Sequence, residues 1–183
     1  DMSIVISNIK TTPVLVPFRR PPVTASGAIG ELPLVLLDVE TDAGLTGHAY
    51  LFVFLKSMLK PTMGCVAAIE EVVRGMNADP EQVDRFLRQR LRLLDIHGIL
   101  GQVFAGLDMA LWDIRAKSED LSLARVLGDP RDYVKTYNSC GLWLEKGDPE
   151  KLADQAQELL AEGDFSAVKL RLGYETFKED LAV

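Results

Sequence analysis

The chain has 183 residues, of which 48% are hydrophobic and 26% charged, and its formal net charge is -7. This balance is typical of a globular protein with a sizeable core, and the acidity argues against binding nucleic acid through a basic surface. No apolar run approaches the roughly 20 residues that cross a membrane, and no signal peptide opens the chain. These features predict a cytoplasmic protein with neither a nucleic acid nor a membrane as partner.

The N-terminal third has the pattern of antiparallel β-structure. A strand is predicted over residues 3–16, and a loop rich in Pro and Gly follows over residues 17–30. Two further strands, over residues 34–41 and 45–52, flank the tripeptide 42–44. Its last residue is glycine, which suits a turn position with positive φ, so these strands predict a hairpin. His48 lies in this hairpin, where we expect it to make a structural hydrogen bond.

From Pro61 onward the pattern becomes helical. Asp79 and Pro80 are typical of a helix start. The apolar residues that follow recur at helical spacing: Val83, Phe86, Leu87, Leu91 and Leu94. Another helix is predicted from about Ile99 to Lys117, with Trp112 in the core. We interpret His97 as the C-terminal cap of the helix before it.

The last third predicts a different architecture. Strand candidates at residues 134–139 and 167–173 enclose a helical stretch at 149–162, and another helix begins near Thr176. This β-α-β-α order is typical of a parallel sheet covered on both faces. We therefore predict an α+β domain over residues 1–130 and the start of an α/β domain over residues 131–183. The two cysteines, Cys65 and Cys140, fit no metal or redox spacing, and each is predicted to be a buried or half-buried thiol.

Two cations stand out in the second strand candidate. Alternation sends Val168, Leu170 and Leu172 to one face, while Lys169 and Arg171 point to the other. Such residues are ordinary on a strand with one solvated face. In a parallel sheet that is covered on both faces, cations are costly unless they bind anions, so the pair is a candidate site.

Three stretches together resemble the enolase superfamily, and within it the mandelate racemase-like enzymes. They are residues 33–52, with the hairpin pattern; residues 106–114, Gly-Leu-Asp-Met-Ala-Leu-Trp-Asp-Ile; and residues 167–173, where relatives carry Lys-x-Lys. The resemblance implies an α+β capping domain, an antiparallel β meander plus helices, followed by a modified (β/α)8 barrel. Of that barrel the chain would hold the first two strands.

The resemblance also implies a reaction class. The enzyme would remove the proton α to a carboxylate and form an enediolate, with Mg²⁺ as cofactor, and it would act on a small carboxylate as a homo-oligomer. An acid-sugar dehydratase and a 2-hydroxy-acid racemase are both open. The family's metal ligands lie on the third to fifth barrel strands, so no residue of this chain is proposed as a ligand. Two barrel strands alone should be unstable, so we expect this chain to be a fragment of a longer protein. The alternative is a non-catalytic module that acts in capping or assembly.

The catalytic pair departs from the family pattern. The second Lys of the motif, the base in relatives, is Arg171 here, and a guanidinium stays protonated at any working pH. Arg171 is therefore better suited to stabilising charge, and Lys169 or a later His would be the base. This favours dehydration over racemisation.

Further substrate contacts follow from the resemblance. Ser139 would hydrogen-bond the substrate carboxylate, unless it only starts a turn. Two capping-domain loops would close over the site, at residues 18–30 and 50–60. Val23, Ala28 and Ile29 would give the first an apolar underside, and Leu51, Phe52 and Phe54 the second. Packing in the hairpin core is the alternative for Phe52 and Phe54. An apolar lid fits a mandelate-like acid. It therefore favours racemisation, whereas Arg171 favours dehydration.

Overall fold

The computed structural model describes residues 3–24, 27–94, 96–128, 131, 133–141, 149–163 and 165–182. The chain divides into two compact units. The first unit contains residues 1–16 and 32–130, and the second contains residues 17–31 and 131–183. The division into domains at residue 130 stays a prediction.

Strands precede helices along the described chain. The strands are β1 (Ile6–Pro17), β2 (Val23–Thr24), β3 (Gly27–Ala28), β4 (Glu31–Thr41) and β5 (Thr46–Phe52). The helices are α1 (Leu59–Val73), α2 (Pro80–Arg90), α3 (Gly98–Ser118), α4 (Leu123–Val126), α5 (Pro149–Ala161) and α6 (Phe177–Leu181), with a 3-10 turn at Lys56–Met58. No helix in the described ranges is long and apolar enough to span a membrane.

The first unit is a three-stranded sheet with helices packed on it. The strand order is β1-β4-β5, and β4 and β5 form the predicted antiparallel hairpin, whose turn residue Gly44 has a φ of 75°. Along β4, Val35, Leu37 and Val39 are buried at alternate positions, as expected for a strand with one covered face. They share a core with the buried faces of α1, α2 and α3.

Small residues bring α3 close to β5. A Cβ built on Gly47 would overlap the carbonyl oxygen of Ala110, and one built on Gly106 would lie 2.6 Å from Leu51 Cδ2. Helix and strand backbones approach this closely only where side chains are absent. The spaced Gly and Ala of the stretch 106–114 are therefore a packing surface.

The end of α2 corrects two predictions. Asp79 caps the helix as expected, its carboxylate accepting from the Gln82 N–H at 2.7 Å, but the helix ends at Arg90. Leu94 is therefore 65% exposed, outside the buried helical stripe. His97 is the N-cap residue of α3, so its interpretation as the C-terminal cap of the preceding helix is wrong. Both predictions assumed that the helix continues beyond Arg90, whereas a turn follows it.

The described part of the second unit holds two small paired regions. In the first, β2 and β3 pair antiparallel, Val23 with Ala28, and the Ile29 N–H donates to the Pro22 carbonyl at 2.9 Å. In the second, residues 138 and 168 form an isolated parallel bridge. Two full strands were predicted there, but the described residues form no ladder. The described residues make two backbone hydrogen bonds at this bridge, which is fewer than the repeated pairs of a ladder.

Candidate functional site

The parallel bridge sets the geometry of the candidate site. The Asn138 N–H donates to the Ala167 carbonyl at 3.0 Å, and the Lys169 N–H donates to the Asn138 carbonyl at 2.8 Å. A Cβ at Gly141 would overlap the Lys169 carbonyl oxygen, so the two segments stay close beyond the bridge. Ser139 and Lys169 each follow a bridge residue on neighbouring segments.

The cations of this site have no counter-charge among the residues that the structure describes. The Lys169 side chain is exposed and Arg171 is half-buried. Across the described ranges, neither side chain makes an ion pair or a hydrogen bond. Unpaired cations on neighbouring alternate positions suit an anionic ligand, and a guanidinium can bind a carboxylate through two parallel hydrogen bonds.

The predicted alternation holds for only part of the segment. Ala167 and Lys169 are exposed while Val168 and Leu170 are half-buried, as predicted, but Leu172 is 53% exposed and Arg171 is half-buried. Leu172 therefore does not share the burial of Val168 and Leu170, with which alternation groups it. Alternation is a property of an extended backbone, and among the described residues the backbone pairing of this segment lies at Val168, four residues before Leu172.

The end of the segment is held by a carboxylate. Asp180 Oδ1 accepts from the N–H groups of Tyr174 at 3.0 Å and Gly173 at 2.9 Å. These backbone hydrogen bonds lower the pKa of Asp180. Thr176 and Glu179 form a capping box that starts α6 at the next residue. The chain after Arg171 therefore turns into a helix with a defined start.

The remaining predicted contacts differ in burial. Ser139 is exposed, and Ile29 and Val23 are half-buried while Ala28 is exposed, so only part of the expected apolar underside is covered. All four residues belong to the second unit.

In the first unit, Phe54 is 66% exposed and has a φ of 59°. Its ring lies 4.1 Å, centroid to centroid, from that of the half-buried Phe52. Leu51 is 4% exposed and belongs to the core, because β5 points it inward, so its predicted place in a lid is wrong.

His48 is structural, as predicted. Its Nδ1 lies 2.8 Å from Asp38 Oδ1 on the neighbouring strand, and its N–H donates to Asp113 Oδ2 at 2.9 Å. Asp113 also accepts from Lys117 Nζ at 2.7 Å, so this acid binds both backbone and a basic neighbour.

Trp112 and Asp108 line the groove between α2 and α3. Trp112 is half-buried rather than core, with the Arg115 guanidinium 5.2 Å from its ring. Burial and the neighbouring Asp84 carboxylate raise the pKa of Asp108, which accepts a hydrogen bond from Trp112.

Metal-binding side chains do not converge in the described part of the chain. No group of three or more His, Cys, Asp or Glu side chains there could hold a metal ion. These residues therefore do not fit a metal centre. Cys65 is half-buried and burial raises the pKa of its thiol, whereas Cys140 is exposed, contrary to the prediction.

Sequence reasoning missed Asn138. Its side chain is 5% exposed and reaches the C-terminal end of α5. The sequence does place an amide side chain inside a predicted strand, on the face opposite Ser139, and this position could have indicated a buried polar residue. A buried polar side chain of this kind requires partners, which the sequence does not reveal.

Comparison with known proteins identifies the family of this chain. A model of the mandelate racemase / muconate lactonizing enzyme N-terminal domain matches residues 6–128, more than half of the chain. Among solved structures, an enolase from alpha proteobacterium bal199 with bound Mg is 31% identical, with a TM-score of 0.88, over 98% of this chain and 50% of that one. A Bradyrhizobium enolase complexed with magnesium and mandelic acid is also 31% identical, with a TM-score of 0.87, over 98% of this chain and 48% of that one.

The curated relatives are more distant in sequence. Arabinonate dehydratase of Saccharolobus solfataricus is 26% identical over 160 residues, which are 82% of this chain and 40% of the relative. L-talarate/galactarate dehydratase of Salmonella typhimurium is 25% identical over 155 residues, which are 82% of this chain and 37% of the relative. The chain thus spans half or less of the length of these proteins. It belongs to the mandelate racemase / muconate lactonizing enzyme family, of whose N-terminal capping domain it has the antiparallel strands and helices.

Proposed function

We propose that this chain contributes the capping domain and first barrel strands of an enzyme that removes the proton α to a small carboxylate. The observation that carries the proposal is the pair of cations, Lys169 and Arg171, neither of which has an ion-pair partner among the described residues. Removing an α-proton builds a second negative charge on the carboxylate, and fixed cations stabilise that charge. The names of the curated relatives, which include dehydratases and a cycloisomerase, support this reaction class.

The two cations have different roles in this proposal. Lys169 reacts in its neutral amine form: it takes the α-proton as the C–H bond breaks and becomes an ammonium, while the electron pair moves into the carboxylate to give an enediolate. Arg171 stabilises the enediolate oxygens, because its guanidinium keeps its charge throughout. Ser139 donates its hydroxyl to the substrate carboxylate. The contacts of Ile29 and of Phe54 with substrate stay predictions.

Dehydration of an acid sugar is the favoured outcome. After the α-proton is lost, the β C–O bond breaks and the hydroxyl leaves as water with a proton from a general acid. The enol product then tautomerises to a 2-keto acid. One base suffices for this reaction, whereas a two-base racemase needs a deprotonatable group where Arg171 stands. Racemisation of a 2-hydroxy acid is the competing outcome, and the mandelic acid bound by the Bradyrhizobium enolase favours it.

Magnesium is proposed as the cofactor of the full-length enzyme. Bound near the substrate carboxylate, it would supply Lewis-acid stabilisation of the developing charge. Since the described residues offer no metal centre, we propose that its ligands lie elsewhere in the full-length protein. The proposed proton transfers are made by side chains of the protein. We also propose that the full-length enzyme is a homo-oligomer.

The test is α-proton exchange in D2O, followed by NMR, with Mg²⁺ and a panel of acid sugars and 2-hydroxy acids. We expect the full-length protein to exchange the α-proton of at least one acid, and Lys169→Ala to abolish exchange while the thermal unfolding midpoint stays unchanged. Formation of a 2-keto acid would assign dehydration, and loss of optical activity would assign racemisation. Wild-type exchange by Lys169→Ala would contradict the role of Lys169. Absence of exchange with every acid would favour the non-catalytic capping or assembly module.

A further inference from the structure

One buried side chain connects the three pieces of the β-α-β unit. Asn138 is 5% exposed, and its Nδ2 donates to the Leu159 carbonyl at 2.9 Å and to Glu162 Oε2 at 3.0 Å. Its Oδ1 accepts from the Cys140 N–H at 3.0 Å. Both amide protons and the amide oxygen are therefore used within the unit, so the side chain has one preferred orientation.

The helix contact has its own physical basis. Leu159 lies in the last turn of α5, where carbonyl groups have no intrahelical partner. An amide proton from Asn138 satisfies one of them in a buried position. A buried carbonyl left unpaired would be costly, so this contact ties the end of α5 to residue 138.

The backbone of the same residue makes the parallel bridge. Its N–H and carbonyl bond the Ala167 carbonyl and the Lys169 N–H, and in the described part of the second unit no other strand pair supports these two segments. Alternation makes register decisive, because a slip of one residue would turn Lys169 to the opposite face. Among the described residues the two segments are paired at residue 138, whose side chain is also anchored to the end of α5.

We propose that Asn138 is a positioning residue that holds the register of this bridge and thereby keeps Lys169 beside Ser139. Its side chain anchors residue 138 to α5, and its carbonyl then holds the Lys169 backbone. The inference rests on the proposed function for the reaction that Lys169 performs, while the positioning itself is testable without activity.

The experiment compares Asn138→Asp with Asn138→Asp/Glu162→Gln in the full-length protein. Asn138→Asp removes both donors and sets a carboxylate against Glu162. The second substitution removes that repulsion and restores a hydrogen bond with donor and acceptor exchanged. Asn77→Asp is the matched control, since Asn77 is exposed in the first unit and its backbone bridge to Val5 is retained.

Two readouts separate positioning from simple destabilisation. We expect Asn138→Asp to lower kcat for α-proton exchange roughly 10- to 100-fold with a smaller change in KM, as for a misplaced catalytic group. Hydrogen–deuterium exchange of the Lys169 amide should accelerate, and Glu162→Gln should recover part of both effects. The control should match wild type in both.

Wild-type kcat and wild-type protection of the Lys169 amide in Asn138→Asp would overturn the inference, whatever happens to the unfolding temperature. If the wild-type enzyme exchanges no acid, the proposed function fails, and the protection of the Lys169 amide still decides the role of Asn138.

Discussion

The carboxylate of Asp113 holds the backbone of His48, 65 residues earlier in the chain, through a hydrogen bond of 2.9 Å from the His48 N–H. His48 lies on β5, at the edge of the three-stranded sheet, and Asp113 lies on α3. Lys117 strengthens the same attachment, since its Nζ donates to Asp113 at 2.7 Å and to the Thr46 carbonyl at 2.7 Å. Polar groups at a sheet edge that would otherwise be open to pairing are thus bound by a helix of the same domain.

Asp113→Asn should destabilise the protein in a pH-dependent way. Partial burial opposes ionisation, but the hydrogen bonds from Lys117 and the His48 N–H outweigh it and lower the pKa of Asp113. Because the pKa is lower in the folded state, the stabilisation is fully present above about pH 4 and is lost as the pH falls through the folded pKa. We expect Asp113→Asn to lower the free energy of unfolding at pH 7 by about 1–2 kcal/mol. Urea denaturation at pH 7 and pH 3 measures this.

The control for that experiment is Glu71→Gln, a charge loss at an exposed position of α1. We expect it to leave the free energy of unfolding nearly unchanged. A difference between Asp113→Asn and wild type that is as large at pH 3 as at pH 7 would contradict the assigned role of the ionised carboxylate.

Gly47→Ala and Gly64→Ala should change stability in opposite directions. A Cβ at Gly47 would overlap the Ala110 carbonyl oxygen and lie 2.8 Å from Ile114 Cγ1, so β5 and α3 would have to separate. Such overpacking costs about 1–3 kcal/mol or more. Gly64 lies within α1 with open space around its Cα, and alanine there should add roughly 0.5–1 kcal/mol through helix propensity. Thermal unfolding of both variants checks the pair, and a stabilised Gly47→Ala would refute the close contact.

Thr62→Val should stabilise the first unit. Thr62 in α1 has no exposed surface, and its hydroxyl has no hydrogen-bond partner among the described residues. Replacing an unpaired buried hydroxyl by a methyl group of similar volume removes a desolvation cost of about 1–3 kcal/mol.

Thr41→Val is the matched comparison for Thr62→Val. Thr41 is also buried, but its hydroxyl donates to the Leu45 carbonyl at 2.8 Å and accepts from the Leu45 N–H at 3.1 Å. We expect this variant to be destabilised in chemical denaturation. Equal changes in the two variants would show that the hydrogen bonds of Thr41 do not contribute.

Arg171→Lys should retain substrate binding better than Arg171→Ala in the full-length enzyme. A lysine keeps the positive charge but loses the planar pair of donors, whereas alanine loses both. Dissociation constants from calorimetry, with Mg²⁺ and an acid that the enzyme turns over, measure the difference. Equal dissociation constants for the two variants would indicate that the charge at this position is not used in binding.

Local features were predictable from the sequence because their causes lie within a few residues. The Asp79 cap, the glycine turn between β4 and β5, and the start of α3 near residue 98 all follow from short-range rules about caps, turns and helical spacing. The family was predictable for a related reason. The close contact between β5 and α3 requires small residues at Gly47 and within 106–114. Those small residues are part of the sequence pattern by which the family is recognised.

Tertiary structure alone decided which residues meet. Helical spacing carried past Arg90 assigned Leu94 to the core, whereas the turn after α2 exposes it. The same limit applies at the candidate site. Alternation predicted that Lys169 lies on the face opposite Val168 and Leu170. The residue that we propose to hold the register of this segment is Asn138, whose amide bonds residues 21 and 24 positions away. The spacing of apolar residues indicates which face of a segment is buried. It does not indicate which residues distant in sequence pack against that face, because tertiary packing decides that.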